Sequence, residues 1–481
     1  MKTLFERQRR LIKQARLMRV TGRVIEVSGL TVCAEGLQLP VGSMCTIVPS
    51  SAPPIDAQVV GVGHGRTILL TMAEPLGTGV GDEVTSSPSM QLVGVGRRTL
   101  GRVLDGAGRP IDEKGPLLPD DHYPVYGDAP EPLARRPIEQ RIATGVRSID
   151  SMLTIGGGQR MGLFAGTGVG KSVLLGMMAR YTSADVTVIA LVGERGREVG
   201  DFLRKNIGEE GAAKTVMVVS TSDESAVLRV RACFVATAIA EYFRDEGKDV
   251  LLLVDSATRM AMAQRQIGLA AGEPPTTKGY PPSVFALLPR LLERAGRTQR
   301  GSITGIYTVL VEGDDINEPV SDAIRGVLDG HVWLSRSLAN RGHWPAVSVL
   351  ESISRLMVDV VDEAHLEAAK AVRRVLALWA DVEDLVNLGA YAKGSNVEFD
   401  LAVEMKPQID AFFQQSMNER ARADETRARL LELHERLQAT EDRLRTGTAE
   451  QASDDAGSEK KTTDTAEPSP MRERGAARAG V

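Results

Sequence analysis

Eight residues, Ala165-Gly166-Thr167-Gly168-Val169-Gly170-Lys171-Ser172, have the types and spacing of a phosphate cradle. Glycine-rich backbone of this kind lets successive N–H groups curl round an anion, and a helix N-terminus behind it adds its positive end. Lys171 is then placed to reach the β- and γ-phosphates, and the Ser172 hydroxyl to ligate Mg²⁺. The pattern G-x-x-x-x-G-K-[ST] is met except at its first position, where Ala165 stands for glycine; alanine fits there if its φ is negative. Such a loop needs a strand before it and a helix after it. Residues 159–164 read as the strand and 173–179 as the helix. These residues imply that the chain binds a nucleoside triphosphate.

Two acids stand where that chemistry needs them. The apolar run 250–254 ends in Asp255, and the C-terminal strand ends of open α/β sheets are where ligands gather. From there Asp255 can hold the hydration shell of Mg²⁺; a plain helix cap is the alternative. Glu194 follows the apolar run 186–192 in Gly193-Glu194-Arg195-Gly-Arg197-Glu198. In a doubly wound sheet that end shares an edge with Lys171, so Glu194 can orient and deprotonate a water attacking the γ-phosphate. Charged loops after strands are commonly just solvated, and the residues alone leave both readings open.

Placing these groups takes a sheet. Apolar, β-branched runs at 186–192, 215–219, 250–254 and 303–310 alternate with helical patterns such as 224–244, the grammar of a mostly parallel sheet with helices on both faces. Ahead of it, short runs at 20–27, 30–34, 44–48, 58–62 and 67–71, with a turn at 77–81, predict a small closed barrel of six strands. Residues 100–112 are a turn-rich crossing, and 116–132 a loop crowded with Pro and Asp. Beyond about residue 357 helical patterns cover 363–386 and 398–444, broken at 389–395, with Leu430, Leu431, Leu433 and Leu437 as an apolar stripe. The expected organisation is multidomain: an amphipathic helix over 1–19, a β-barrel over 20–92, an α/β P-loop domain over 93–356, an α-helical domain over 357–445 and a disordered tail over 446–481.

Bulk properties exclude several classes. The chain has 481 residues, 42% apolar and 25% charged, with net charge −5 and 4% aromatics. That balance makes no electrostatic or stacking case for a nucleic-acid partner. Three scattered cysteines, Cys33, Cys45 and Cys233, argue against a disulfide framework or zinc site and fit a reducing cytoplasm. No apolar run reaches the roughly 18 residues of a membrane span, so membrane attachment is expected to be peripheral or through partners. Residues 1–19 carry seven basic residues and one acid. Their apolar face (Leu4, Phe5, Leu11, Ile12, Ala15, Met18) can dock on a partner helix, lie on an anionic membrane, or pack on its own domain.

Several blocks together resemble the rotary ATPase catalytic-subunit superfamily. They are Gly193-Glu-Arg-Gly-Arg-Glu-Val199, Val254-Asp-Ser-Ala-Thr-Arg259, Lys278-Gly-Tyr-Pro-Pro-Ser-Val-Phe-Ala286, Val309-Leu-Val-Glu-Gly-Asp-Asp315 and Ser335-Arg336, besides the P-loop itself. Within that superfamily the chain resembles the flagellar type III export ATPases over about residues 20–440. The resemblance implies a six-stranded barrel, a RecA-like domain, a helical domain, and a homohexameric ring with ATP between subunits. It puts the catalytic glutamate on Glu194, γ-phosphate or inter-subunit arginines on Arg195 and Arg259, and a trans-acting arginine finger on Arg355. It matches Trp344 to an aromatic stacked on adenine, for which a domain-junction core residue is the alternative. It also implies partners: a dimeric regulator at the N-terminal helix, a central coiled-coil stalk protein, export-gate membrane proteins and chaperone–substrate complexes. The implied location is cytoplasmic, peripheral to the inner-membrane export apparatus.

Rival readings separate on residues. A nucleotide-binding but inactive ring subunit is expected to lack Glu194. An RNA translocase of the same core should carry basic and aromatic residues in its barrel, yet residues 20–90 contain no Phe, Tyr or Trp. An ATP-synthesising rotary subunit shares the chemistry and differs in coupling to a proton-driven rotor. A virulence injectisome ATPase shares most catalytic blocks; the break at 389–395 looks like the flagellar version.

Overall fold

A computed structural model describes residues 20–87, 91–311 and 318–459 of the protein, from 447 on as backbone alone. The predicted basic helix at 1–19 lies outside the described residues, as do 312–315 of the resemblance blocks and the tail from 460. The chain forms two compact units: one reaches to Ala369 and includes Asp410–Leu430, and the other comprises Lys370–Ile409 and the chain from Leu431 on.

In the first unit, strands β1 (Thr21–Ser28), β2 (Thr31–Glu35), β3 (Met44–Val48), β4 (Ile55–Gly63), β5 (Arg66–Thr71) and β6 (Glu83–Ser86) close into the predicted barrel, in the order β1-β2-β5-β4-β3-β6. Period-two alternation turns Val24, Val32, Ile47, Val59 and Leu69 into its own core. Gly22 is obligatory in β1, since a Cβ there would lie 2.4 Å from the Glu35 carbonyl oxygen. Cys45 is a core filler, and burial pushes its thiol up to about 12. Met44, Leu70 and Met72 join the apolar core of the second sheet, so the barrel is packed onto it rather than tethered.

That sheet comprises β7 (Val103–Asp105), β8 (Arg160–Ala165), β9 (Val186–Glu194), β10 (Thr215–Thr221), β11 (Asp249–Asp255), β12 (Ser302–Leu310), β13 (Gly330–Leu334) and β14 (Val347–Ser354). Its spatial order is β14-β13-β8-β12-β11-β9-β10-β7, with Gly296–Arg297 paired beside β12. Pairing along the order is parallel except for the edge strand β14, antiparallel to β13. β9 to β12 are the predicted runs; covered on both faces, they read as continuous apolar stretches. β7 is three residues inside the turn-rich crossing, and β14 leaves Leu350 and Ile353 exposed, so neither announces itself by periodicity. Helices α1 (Lys171–Tyr181), α2 (Gly196–Asp201), α3 (Ala226–Asp245) and α4 (Ala257–Ala270) connect the strands. α3 is buried along most of its length and begins at a cap, the Ser225 hydroxyl accepting from the Leu228 amide.

Three helices close the chain: α5 (Glu363–Asn387), α6 (Val397–Phe413) and α7 (Ala423–Glu459). In the second unit Val372, Val375, Val382, Leu401, Met405, Leu433 and Leu437 are buried, and Asp400 pins the glycine-rich break by accepting from Tyr391 Oη and the Gly394 amide at 2.9 and 2.8 Å. Two expectations are corrected. The helical pattern 398–444 is two helices, interrupted at 414–422. The predicted disordered tail begins too early, because α7 continues to Glu459; Ala, Glu and Gln after Arg445 extend a helix already nucleated, which costs far less than starting one.

Candidate active site

The P-loop joins β8 to α1 as predicted. Gly168 and Gly170 adopt φ of 77° and 85°, a left-handed backbone that turns consecutive amides toward one point. Ala165 keeps a negative φ at the end of β8, so the missing glycine costs nothing there. Lys171 opens α1, and Asn206 Nδ2 holds the Ser172 carbonyl at 2.8 Å.

The sheet order brings the two acids to Lys171. β12 lies beside β8, followed by β11 and then β9, and the C-terminal ends of β11 and β9 present Asp255 and Glu194 at the P-loop edge. Lys171 Nζ donates to Asp255 Oδ1 and lies 3.6 Å from Glu194 Oε1. Thr308, on the strand between the P-loop and Asp255, donates its hydroxyl to the same Asp255 oxygen at 2.7 Å. Arg259 Nε is 3.6 Å from Glu194 Oε1, and its guanidinium donates to the Gly193 carbonyl. Burial lifts the Glu194 carboxyl above the usual carboxylate range; Lys171 and Arg259 pull it back, and Asp255 adds to the rise. Glu194 is therefore a carboxylate of raised basicity held between two cations, as a general base should be.

The P-loop has a cavity on each side. One, of about 460 Å³, is lined by Val173, Met177, Leu334, Trp344, Pro345 and Met417 together with Gly170. The Trp344 ring lies against the loop, since a Cβ on Gly170 would come within 2.8 Å of its Cζ3. Trp344 is 41% exposed, which does not suit the alternative of a junction-core residue. The other cavity, of about 430 Å³, is bordered by Gly166, Thr167, Gly193, Arg229, Arg259 and Arg336, and Arg336 also donates to the Thr167 carbonyl at 3.2 Å. An apolar slot on one side and guanidinium groups on the other suit a base and a triphosphate.

Two predicted residues stand apart. Arg195 is exposed and pairs with Glu198 at 3.3 Å. Arg355 follows β14, and Gly330, at the start of β13, pairs with both Ser354 and Met161. Arg355 therefore lies at the N-terminal edge of β8, roughly 15 Å of strand from the P-loop at its other end. Thr308, Arg229 and Met417 are site residues that sequence reasoning missed. Thr308 carried no local signal, for it is one hydroxyl in an apolar strand.

A phosphate-cradling loop with a buried acid at a strand end one strand removed, a second acid poised beyond it and flanking arginines define a P-loop ATPase. The chain matches the ATP synthase alpha/beta family, nucleotide-binding domain, over residues 145–354 and the T3SS EscN ATPase C-terminal domain over 361–432. It is 50% identical to the flagellum-specific ATP synthase of Bacillus subtilis, over 86% of this chain and 94% of that one. It is 47% identical to the type 3 secretion system ATPase of Xanthomonas euvesicatoria, over 82% and 89%. The assembled ATPase EscN of enteropathogenic E. coli superposes with TM-score 0.80 at 42% identity, covering 86% of this chain and all of that one; a second structure shows EscN with its central stalk EscO. The chain belongs to the flagellar and type III secretion ATPase family.

Proposed function

We propose that the protein is the ATP-hydrolysing motor of a flagellar type III export apparatus, acting as a homohexamer that couples hydrolysis to delivery and to unfolding or chaperone release of export substrates. The single observation that carries this reading is the division of the catalytic set. Lys171, Glu194 and Asp255 converge within one protomer, while Arg355 lies at the far edge of the same sheet, where it can serve a neighbour's site.

The P-loop amides and Lys171 hold the phosphates, with Lys171 exchanging the Asp255 carboxylate for phosphate oxygens. Glu194 accepts the proton of the attacking water. Arg259 keeps Glu194 in place, Arg195 is available to an adjoining subunit, and the neighbour's Arg355 stabilises charge at the γ-phosphate, a role worth about 10³-fold or more. Ser172 at the head of α1 and buried Asp255 are the oxygen donors that suit Mg²⁺. When bound, Mg²⁺ neutralises charge on the β- and γ-phosphates. Trp344 and Met417 sandwich the base.

EscN's assembly and its EscO stalk support self-association and a central stalk partner. The flagellar branch is favoured by the 50% identity over 86% of the chain. We assign residues 1–19 to a dimeric regulator, 20–92 to the ring's barrel tier, 93–356 to catalysis, and 357–445 to chaperone–substrate complexes, with export-gate membrane proteins as further partners. No described helix is long and apolar enough to cross a membrane, in keeping with a cytoplasmic enzyme bound peripherally to the export gate. The test is ATPase rate against protein concentration with mass measured in parallel. Specific activity should climb as hexamers form. A flat profile through assembly refutes a site shared between subunits.

A further inference from the structure

Gln159 ends the turn before β8 and is fully buried, a costly place for an amide unless all of its bonds are made. Its Oε1 accepts from the Gly156 amide at 2.9 Å. Its Nε2 donates to the Ser354 hydroxyl at 3.1 Å and to the Asp329 carbonyl at 3.3 Å. Both partners fix Arg355. Ser354 is the preceding residue, and its hydroxyl also donates to the Thr154 carbonyl at 2.8 Å. The Asp329 carbonyl accepts the Arg355 amide at 3.1 Å. Asp329 is itself clamped by Arg160, the first residue of β8, through the backbone amide at 3.0 Å and the guanidinium at 3.2 Å.

We propose that Gln159, acting with Ser354, is a positioning residue for Arg355: it sets the arginine that this protomer presents to its neighbour, not the chemistry of its own P-loop. The inference rests on the trans-acting role given to Arg355 above. One strand thus carries a nucleotide cradle at its C-terminal end and the anchor of the outgoing arginine at the other. The anchor combines backbone groups, the fully buried Gln159 amide and the partly buried Ser354 and Asp329, so the Arg355 Cα has little freedom. That is the condition for an arginine to reach a transition state without ordering cost, and a displacement of about 1 Å can forfeit 10²-fold.

The test is complementation in mixed rings. Gln159→Ala and Ser354→Ala should each lower turnover about 10- to 100-fold while leaving the affinity for a fluorescent ATP analogue and the hexamer mass at wild-type values. Each is then mixed with Glu194→Gln, which hydrolyses poorly but offers an intact Arg355. In random 1:1 rings half the protomers keep a working base, and half of those meet an intact arginine. Turnover should rise to about a quarter of the wild-type rate, matching an Arg355→Ala plus Glu194→Gln control. Recovery of the control without recovery of Gln159→Ala and Ser354→Ala overturns the proposal, placing their effect on the protomer's own site. Wild-type turnover in both single variants also overturns it. Failure of the control removes the trans-acting Arg355 itself, and the proposal with it. Should Gln159→Ala not fold, Ser354→Ala, which removes the hydroxyl that accepts from Gln159 and leaves Gln159 in place, decides the matter.

Discussion

Replacing Glu194 by glutamine is the sharpest probe of the chemistry. The amide keeps the side chain's shape, but it cannot take a proton at neutral pH. Positioned general bases contribute about 10²- to 10⁴-fold, so turnover should fall by that factor, equivalent to about 3–5 kcal/mol of barrier. Binding should move the other way. The carboxylate lies 3.6 Å from both Lys171 Nζ and Arg259 Nε, and removing it leaves Lys171 facing Asp255 alone and takes the nearby carboxylate from Arg259. An anionic triphosphate should then bind as well as to wild type or tighter. The pH profile supplies a second readout. A base must be ionised, so wild-type kcat should rise with pH through the Glu194 pKa, which burial sets above the usual carboxylate range, and this acid limb should vanish in the variant. A coupled steady-state assay gives kcat, and a fluorescent ATP analogue gives Kd. Turnover within about threefold of wild type, or a surviving acid limb, would refute the assignment of Glu194 as base.

Two further outcomes follow from contacts already described. Trp344→Ala should raise KM for ATP about tenfold with kcat held, as expected for losing one base–aromatic stack of about 1–3 kcal/mol; an unchanged KM for ATP removes Trp344 from the base site. Arg294 is fully buried and forks onto Glu241, its Nε donating at 2.8 Å. Arg294→Leu should cost about 3–5 kcal/mol by leaving a buried charge unmatched, and adding Glu241→Leu should recover much of it in urea unfolding. Additive losses in the double variant would show that the pair is not coupled.

How much of this was legible in the sequence depended on whether a signal was local. The P-loop was readable because its chemistry lives in consecutive backbone amides. Five barrel strands and the four central runs were readable because burial on one face or two writes a period into the residues. Asp255 and Glu194 were placed by an inference one step longer, that strand ends in a parallel sheet share an edge, and that inference needs no knowledge of strand order. Thr308 does need it. Its hydroxyl reaches Asp255 only because β12, the later strand in the chain, inserts between β8 and β11, and nothing near residue 308 encodes that insertion. β14 was missed for a related reason: an edge strand that leaves Leu350 and Ile353 exposed loses the alternation that would reveal it. Arg355 sits at the end of that chain of dependence. Its role was available through resemblance alone, yet the structure adds a reason that resemblance lacks. β14 runs against the rest of the sheet, so its last residue emerges at the edge opposite the P-loop. An arginine there is about the length of β8 from its own nucleotide, and no rotamer of one side chain spans that distance. If Arg355 acts on ATP at all, sheet polarity obliges it to act on a neighbour's.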